Sequence, residues 1–206
     1  LPPNLATIAG TWGTVSDQGD LTYLNLVHHY LDGTDPDSLT RGEMHGRRDA
    51  MHAIAALRGY MPGCEQAKLR NFGMTLGVRD TRKIDAIYNM TGDDVRGEAR
   101  FEDSIGIFPE FIDGYGLLIL PTTGRYFHVP YRSLVPRGIK GLLVAGRVIG
   151  GDKVSHAAVR NMMCCAVSGQ GAGVAAAIAV KTGRDFAEVD IAAVQAELRR
   201  QGARIH

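Results

Sequence analysis

Arg147, Lys153, His156 and Arg160 fall in one short stretch, just after Gly146 and just before a long run of small apolar residues. Two kinds of chemistry are open to such a set. Guanidinium groups give charge-assisted, forked hydrogen bonds to phosphate or carboxylate. An imidazole titrates near neutrality and can take a proton from O–H or N–H. Gly146 lacks a Cβ, so the backbone there can approach a ligand closely. Cations gathered where a helix begins add to the partial positive charge of the helix N-terminus, which is a way to hold an anion. Cys164 and Cys165 are adjacent. In a helix their side chains diverge by about 100°, so they do not bridge easily and read as small packing residues.

The elements that must position these residues are a strand and a helix. Residues 142–145 (LLVA) read as a short buried strand, 146–160 as a cationic loop, and the run of Ala, Val, Cys, Ile and Gly through Thr182 as a helix buried on most sides. Strand, loop and helix N-terminus in that order build a ligand site on an open α/β sheet. Gly173 reads as a packing glycine of this helix, and Gly169 as either packing or ligand approach. Residues 190–200 (DIAAVQAELRR) form an amphipathic helix with Asp190 as N-cap and Gly202 as its end.

Upstream, residues 130–136 (PYRSLVP) read as a proline-stiffened strap that carries Tyr131 and Arg132. Residues 116–120 and 125–130 read as strands of one hairpin, and 101–116 as mostly loop. Thr91 to Asp94 is a turn or helix cap. Residues 76–84 (LGVRDTRKI) carry Arg79, Arg82 and Lys83; Arg79 is open between holding an anionic substrate and a structural ion pair. Residues 35–38 read as a turn, followed by a helix that starts at a Thr40–Glu43 capping box and runs to about Arg58. Residues 65–72 read as a further short helix. His45 and His52 on the long helix are not spaced i, i+4, so no metal site is expected. Residues 21–31 read as a strand with His28 and His29 on opposite sides. Residues 1–20, with Trp12, read as irregular and docked on a partner.

The chain has 206 residues, enough for a sizeable core, and a formal net charge of +1. That charge points to neither nucleic acid nor an anionic membrane. The Ala-rich stretch is Gly-broken and weakly apolar, so no membrane span is expected. Three cysteines, two of them adjacent, do not make a disulfide framework, which fits a reducing, cytoplasmic setting.

Several segments together resemble the C-terminal part of the FAD-dependent oxidoreductases with a glutathione-reductase-like flavin fold. They are residues 32–48 (DGTDPDSLTRGEMHGRR), 76–84, 128–136, 142–149 (LLVAGRVI), His156, Arg160 with Met163 and Cys164, and 169–179 (GQGAGVAAAIA). They occur in the family's order. The resemblance implies an α+β or α/β chain, the C-terminal portion of a two-domain flavoprotein. Residues 1–135 would be mainly substrate-domain elements with a partner-docking segment. Residues 136–185 would complete a Rossmann-like FAD domain, and 186–206 would be a C-terminal helix. The chain has no GxGxxG motif after a first strand, so the pyrophosphate-binding half is expected on a second polypeptide. This chain would then be a subunit or processed fragment.

By the same resemblance Gly146, Arg147, Val148, Asn161, Met162 and Met163 contact FAD. His156 and Arg160 are catalytic, and Arg79, Tyr131 and Arg132 meet a small polar substrate. His156 is open between general base and hydrogen-bonding partner. Arg160 is open between stabilising negative charge on the reduced flavin and clamping a substrate carboxylate. The expected reaction is hydride transfer from substrate to FAD. The alternative is an accessory subunit that completes the flavin pocket.

Overall fold

The computed structural model describes residues 8–11, 14–15, 17–19, 21–22, 24–114 and 117–206. They divide into two compact units, one within Leu1–Thr81 and one within Arg82–His206. Trp12 lies outside the described residues.

The first unit holds strands β1 (Ile8–Thr11), β2 (Thr14–Val15), β3 (Leu21–Thr22) and β4 (Asn25–Val27), then helix α1 (Pro36–Tyr60). β1 pairs antiparallel with β4, and β2 with β3. The N-terminal region expected to be irregular therefore contains short strands. α1 begins earlier than its Thr40–Glu43 pattern suggests. Asp35 is the N-cap, accepting from the Asp37 and Ser38 amides, and Pro36 occupies the first turn, where its missing N–H costs nothing. Thr40 sits inside the helix and donates its hydroxyl to the Pro36 carbonyl. Glu43, the expected capping-box partner, accepts from the Leu76 amide instead. Residues 65–72 form no helix. On α1 the buried Asp49 carboxylate has His29 Nε2 at 3.4 Å and His52 Nδ1 at 3.5 Å.

The second unit carries α2 (Gly92–Arg96), β5 (Ser104–Pro109), β6 (Ile112–Gly114), β7 (Leu117–Ile119), β8 (Tyr126–Pro130), α3 (Lys153–Val159), α4 (Met162–Thr182) and α5 (Ile191–Arg200). Short 3₁₀ turns stand at Tyr131–Leu134, Gly146–Val148 and Phe186–Glu188. α2 opens on a capping box, with Thr91 and Asp94 satisfying each other's backbone amides. α5 follows its expected N-cap, Asp190, which accepts from the Ala192 and Ala193 amides.

The strand pairing differs from the expected hairpin. β8 pairs antiparallel with β5, and β7 with β6. Residues 104–109 read as loop because Gly106 and Pro109 interrupt them, yet β5 is the central partner of β8. Gly106 is needed there for close packing: a Cβ at this position would run into the Val167 side chain of α4. One turn further along α4, a Cβ on Gly171 would come within 2.6 Å of Ile105. Strand and helix thus approach each other through two glycines. Phe127, Ile105, Leu134, Ile149, Val174 and Leu198 fill the core on either side of this crossing, and Phe108 meets Phe127 edge to face at 6.0 Å.

Residues 142–145 are not a strand. Among the described residues their backbone makes one backbone bond to another segment, Val144 N–H to the Leu134 carbonyl, and Leu142 is exposed. An apolar run becomes a strand only with a neighbour to ladder against, and no described strand lies beside it. α4 is likewise buried on one face, not on most. Cys164, Ser168, Gly171, Val174, Ala175 and Ala179 point inward, while Met162, Met163 and Val180 are exposed. Its packing glycine is Gly171, and Gly169 and Gly173 face open space.

Candidate functional site

The cationic stretch is not a loop throughout: it holds the 3₁₀ turn at Gly146–Val148 and helix α3, and leads into α4. α3 starts at Asp152, whose carboxylate accepts from the Ser155 amide at 2.7 Å and from the Gly92 amide at 2.9 Å. One side chain thereby caps α3 and ties it to the start of α2. Ser155 Oγ donates to the Met90 carbonyl, and the Gly150 amide to the Ser133 carbonyl. These bonds fix the entry into α3. Burial pushes the Asp152 carboxyl upward, but its bonds from Ser155, Gly92 and Val154 together hold it below the usual carboxylate range.

His156 lies in the middle of α3, not in a loop, and only 2% of it is exposed. Arg160 closes α3, its amide donating to the His156 carbonyl at 3.0 Å. Asn161 then starts α4 without capping it: its side-chain amide donates back to the Ala157 and Ala158 carbonyls. The first amides of a helix have no acceptor within the helix. Those of α4 therefore receive no side-chain cap, at the N-terminus of a 21-residue helix.

Gly146 sits beside this N-terminus. Its φ is 79°, a left-handed conformation that favours glycine. Its amide donates to the buried Ser168 Oγ at 2.9 Å, so the turn is pinned to α4 from below. A Cβ there would find only the Cys165 sulfur, at 4.0 Å. Arg147 and Val148 follow and are exposed. Burial pushes the Cys165 thiol up, partly offset by the Arg147 and Arg160 guanidiniums. Burial also drives Cys164 upward as a thiol, which suits a packing residue. Cys64, Cys164 and Cys165 are all free.

The Arg160 head is anchored. Nη2 donates to the backbone carbonyl of Asp113 on β6 and to its Oδ2 at 3.1 Å, with only 13% of the Arg160 side chain exposed. No sequence signal marks Asp113, because the contact spans two distant segments. Ser168 was equally unmarked, although its place one turn after Cys164 put it on the buried face.

Gly146, Arg147, Val148, Arg160, Asn161, Met162 and Met163 are thus gathered around one turn. Met162 and Met163 are 87% and 73% exposed, two large apolar side chains at the mouth of an uncapped, cation-flanked helix. An anion bound to a flat apolar ring system suits that mixture: amides and guanidiniums for the anion, thioethers for the ring. The positive-φ glycine, left clear on its outer side, gives backbone access. These residues fit a dinucleotide flavin.

Tyr131 is buried, and its hydroxyl donates to the Phe186 carbonyl at 2.8 Å; burial pushes its ionisation up. Arg132 grips Asp103 with Nε at 2.9 Å and Nη2 at 3.2 Å and lies over the Tyr88 ring. Tyr88 itself donates to Asp94, and burial and that carboxylate push it up to about 12. Arg79 belongs to the first unit, where it is exposed. A larger open groove runs between α4 and α5, lined by Gly169, Gly173, Lys181, Glu197 and Arg200. It follows the middle and end of α4, away from its N-terminal turn, and its polar groups are engaged with one another, Glu197 with Arg200 and Gln201, and Gln170 with Gln201. Among the described residues no cluster of three His, Cys, Asp or Glu side chains could hold a metal ion.

A family model described as "FAD dependent oxidoreductase" covers residues 6–198. No curated protein and no solved structure matches the chain.

Proposed function

The chain belongs to the FAD-dependent oxidoreductases, whose cofactor is FAD, and on that premise we propose that it forms the flavin-facing wall of a dehydrogenase or oxidase acting on a small polar substrate. The observation that carries this reading is the α4 N-terminus: uncapped, preceded by Arg160 at the end of α3, and set beside the positive-φ Gly146 with Arg147 after it.

Each residue then has a task. Arg147 and the first amides of α4 hold the anionic or carbonyl-rich part of the cofactor, and Gly146 lets the backbone come close. Val148, Met162 and Met163 cover its apolar surface. Arg160 and the helix dipole favour negative charge beside them, on cofactor or substrate. FAD, when bound, supplies the two-electron chemistry by accepting hydride. His156, shielded from water, takes the proton that leaves the substrate's O–H or N–H. Arg79 and Arg132 are the proposed substrate-side cations, and the buried Tyr131 keeps the 131–134 turn in place.

We further propose that a second polypeptide carries the pyrophosphate-binding half. The exposed outer face of α4, with Leu142 and Val148 also exposed, supports a covering partner. Three free cysteines support a reducing, cytoplasmic setting. α4 is the described helix long and apolar enough by length and composition to cross a membrane, but its inner face packs on β5 and α5 as a core helix does.

A second reading is favoured by the engagement of Arg132 with Asp103 and by the burial of His156: an accessory subunit that completes the pocket while another chain binds substrate. Flavin reduction measured in the FAD-loaded native protein separates the two. The catalytic reading expects His156→Ala and Arg160→Ala each to slow reduction at least tenfold with FAD still bound. Wild-type rates in both variants would leave the accessory reading.

A further inference from the structure

We propose that Asp113 is a positioning residue that fixes the Arg160 guanidinium and sets its effective charge toward an anionic ligand at the α4 N-terminus. The inference rests on the reading that Arg160 faces bound cofactor or substrate.

The geometry is a two-point hold. Arg160 Nη2 donates both to the Asp113 carbonyl and to its carboxylate. The strand that carries Asp113 lies directly on the helix that ends in Arg160: a Cβ on Gly114 would come within 2.9 Å of the Ala157 Cβ. A free arginine side chain samples many rotamers, and ordering it on ligand arrival weakens binding. Here that ordering is complete before any ligand arrives. The guanidinium fork also has donors beyond Nη2, which a ligand placed on the correct side can take up in pairs.

The charge effect runs the other way. A carboxylate 3.1 Å away cancels much of the guanidinium field at a distance. Diffuse anions are therefore attracted weakly, and a ligand that matches the fork gains relative to one that is merely negative. Asp113 thus trades general anion affinity for geometric selection, a specificity device for the ligand on Arg160.

The test uses the full chain in its native FAD-loaded form, with acetate and sulfate as probes. Two quantities are read: anion affinity from the shift of the flavin absorbance band, and the flavin midpoint potential. Asp113→Asn keeps the side-chain shape and the backbone contact but removes the charge. We expect it to tighten acetate and sulfate about fivefold and to raise the potential. Arg160→Lys, which loses the fork, is expected to weaken both anions. A merely structural role for Asp113 would not tighten an anion. The proposal is overturned if Asp113→Asn leaves affinity and potential unchanged while Arg160→Lys alters both. If Arg160→Lys alters neither, the underlying reading of Arg160 has failed and the proposal falls with it. Asp113→Ser, read the same way, stands in should the Asn variant not fold.

Discussion

At the scale of single residues, function and packing compete for the same side chains. His156 shows this most sharply. A pattern-based reading puts it in a loop as a reactive imidazole, yet it lies inside α3 with 2% of its surface exposed. His156→Ala should therefore cost stability, about 2–4 kcal/mol for an emptied core site, besides any kinetic effect. His156→Asn, by denaturant titration, should recover part of the stability without restoring proton transfer. His128 gives a pH prediction that needs no ligand. Burial lowers its pKa, and Arg100 and His206 push the same way, partly offset by a Phe101 backbone bond. The folded state then binds fewer protons than the unfolded chain, where histidine titrates near ~6.5. Its share of stability is full above that pH and is lost as pH falls. Denaturation midpoints should drop between neutral and mildly acidic buffer, and His128→Gln should flatten the drop; an unchanged slope would show that other groups dominate.

At the scale of elements, local signals held where they were self-contained and failed where a distant partner decided. The Thr91 to Asp94 segment, read as a turn or helix cap, is a capping box, and the Asp190 cap forms as read; both are bonds between near neighbours. Thr40–Glu43 has the same pattern, but Asp35 followed by Pro36 starts α1 a turn sooner and Glu43 bonds Leu76. β5 was hidden by its own Gly106, which a helix crossing requires and a loop also favours. Residues 142–145 had the composition of a strand and no ladder partner. The small-residue pattern of α4 was legible, but not which glycine packs. That assignment predicts opposite signs: Gly171→Ala should destabilise by about 1–3 kcal/mol, because Ile105 must move. Gly173→Ala, facing open space, should stabilise by about 1 kcal/mol through helix propensity. Thermal melts of the two variants check both, and equal shifts would contradict the packing.

At the scale of the whole molecule, the family and the cofactor were legible because several segments occur in a fixed order, a signal that survives errors in individual elements. The turn around Gly146 was legible for the same reason. Asp113, Ser168 and Asp152 were not, since each acts through the fold across a long stretch of chain. On the proposed function, the exposed face of α4 and the uncapped N-terminus with its cations are one half of a binding site. The most direct test of that claim is the visible absorbance spectrum of the native, undissociated protein taken together with its intact mass. We predict an oxidised-flavin spectrum in an assembly that contains this chain and a second polypeptide, with the flavin lost on Arg147→Ala. An assembly without flavin that stays colourless when FAD is added, or flavin retained unchanged in the Arg147 variant, would contradict the account.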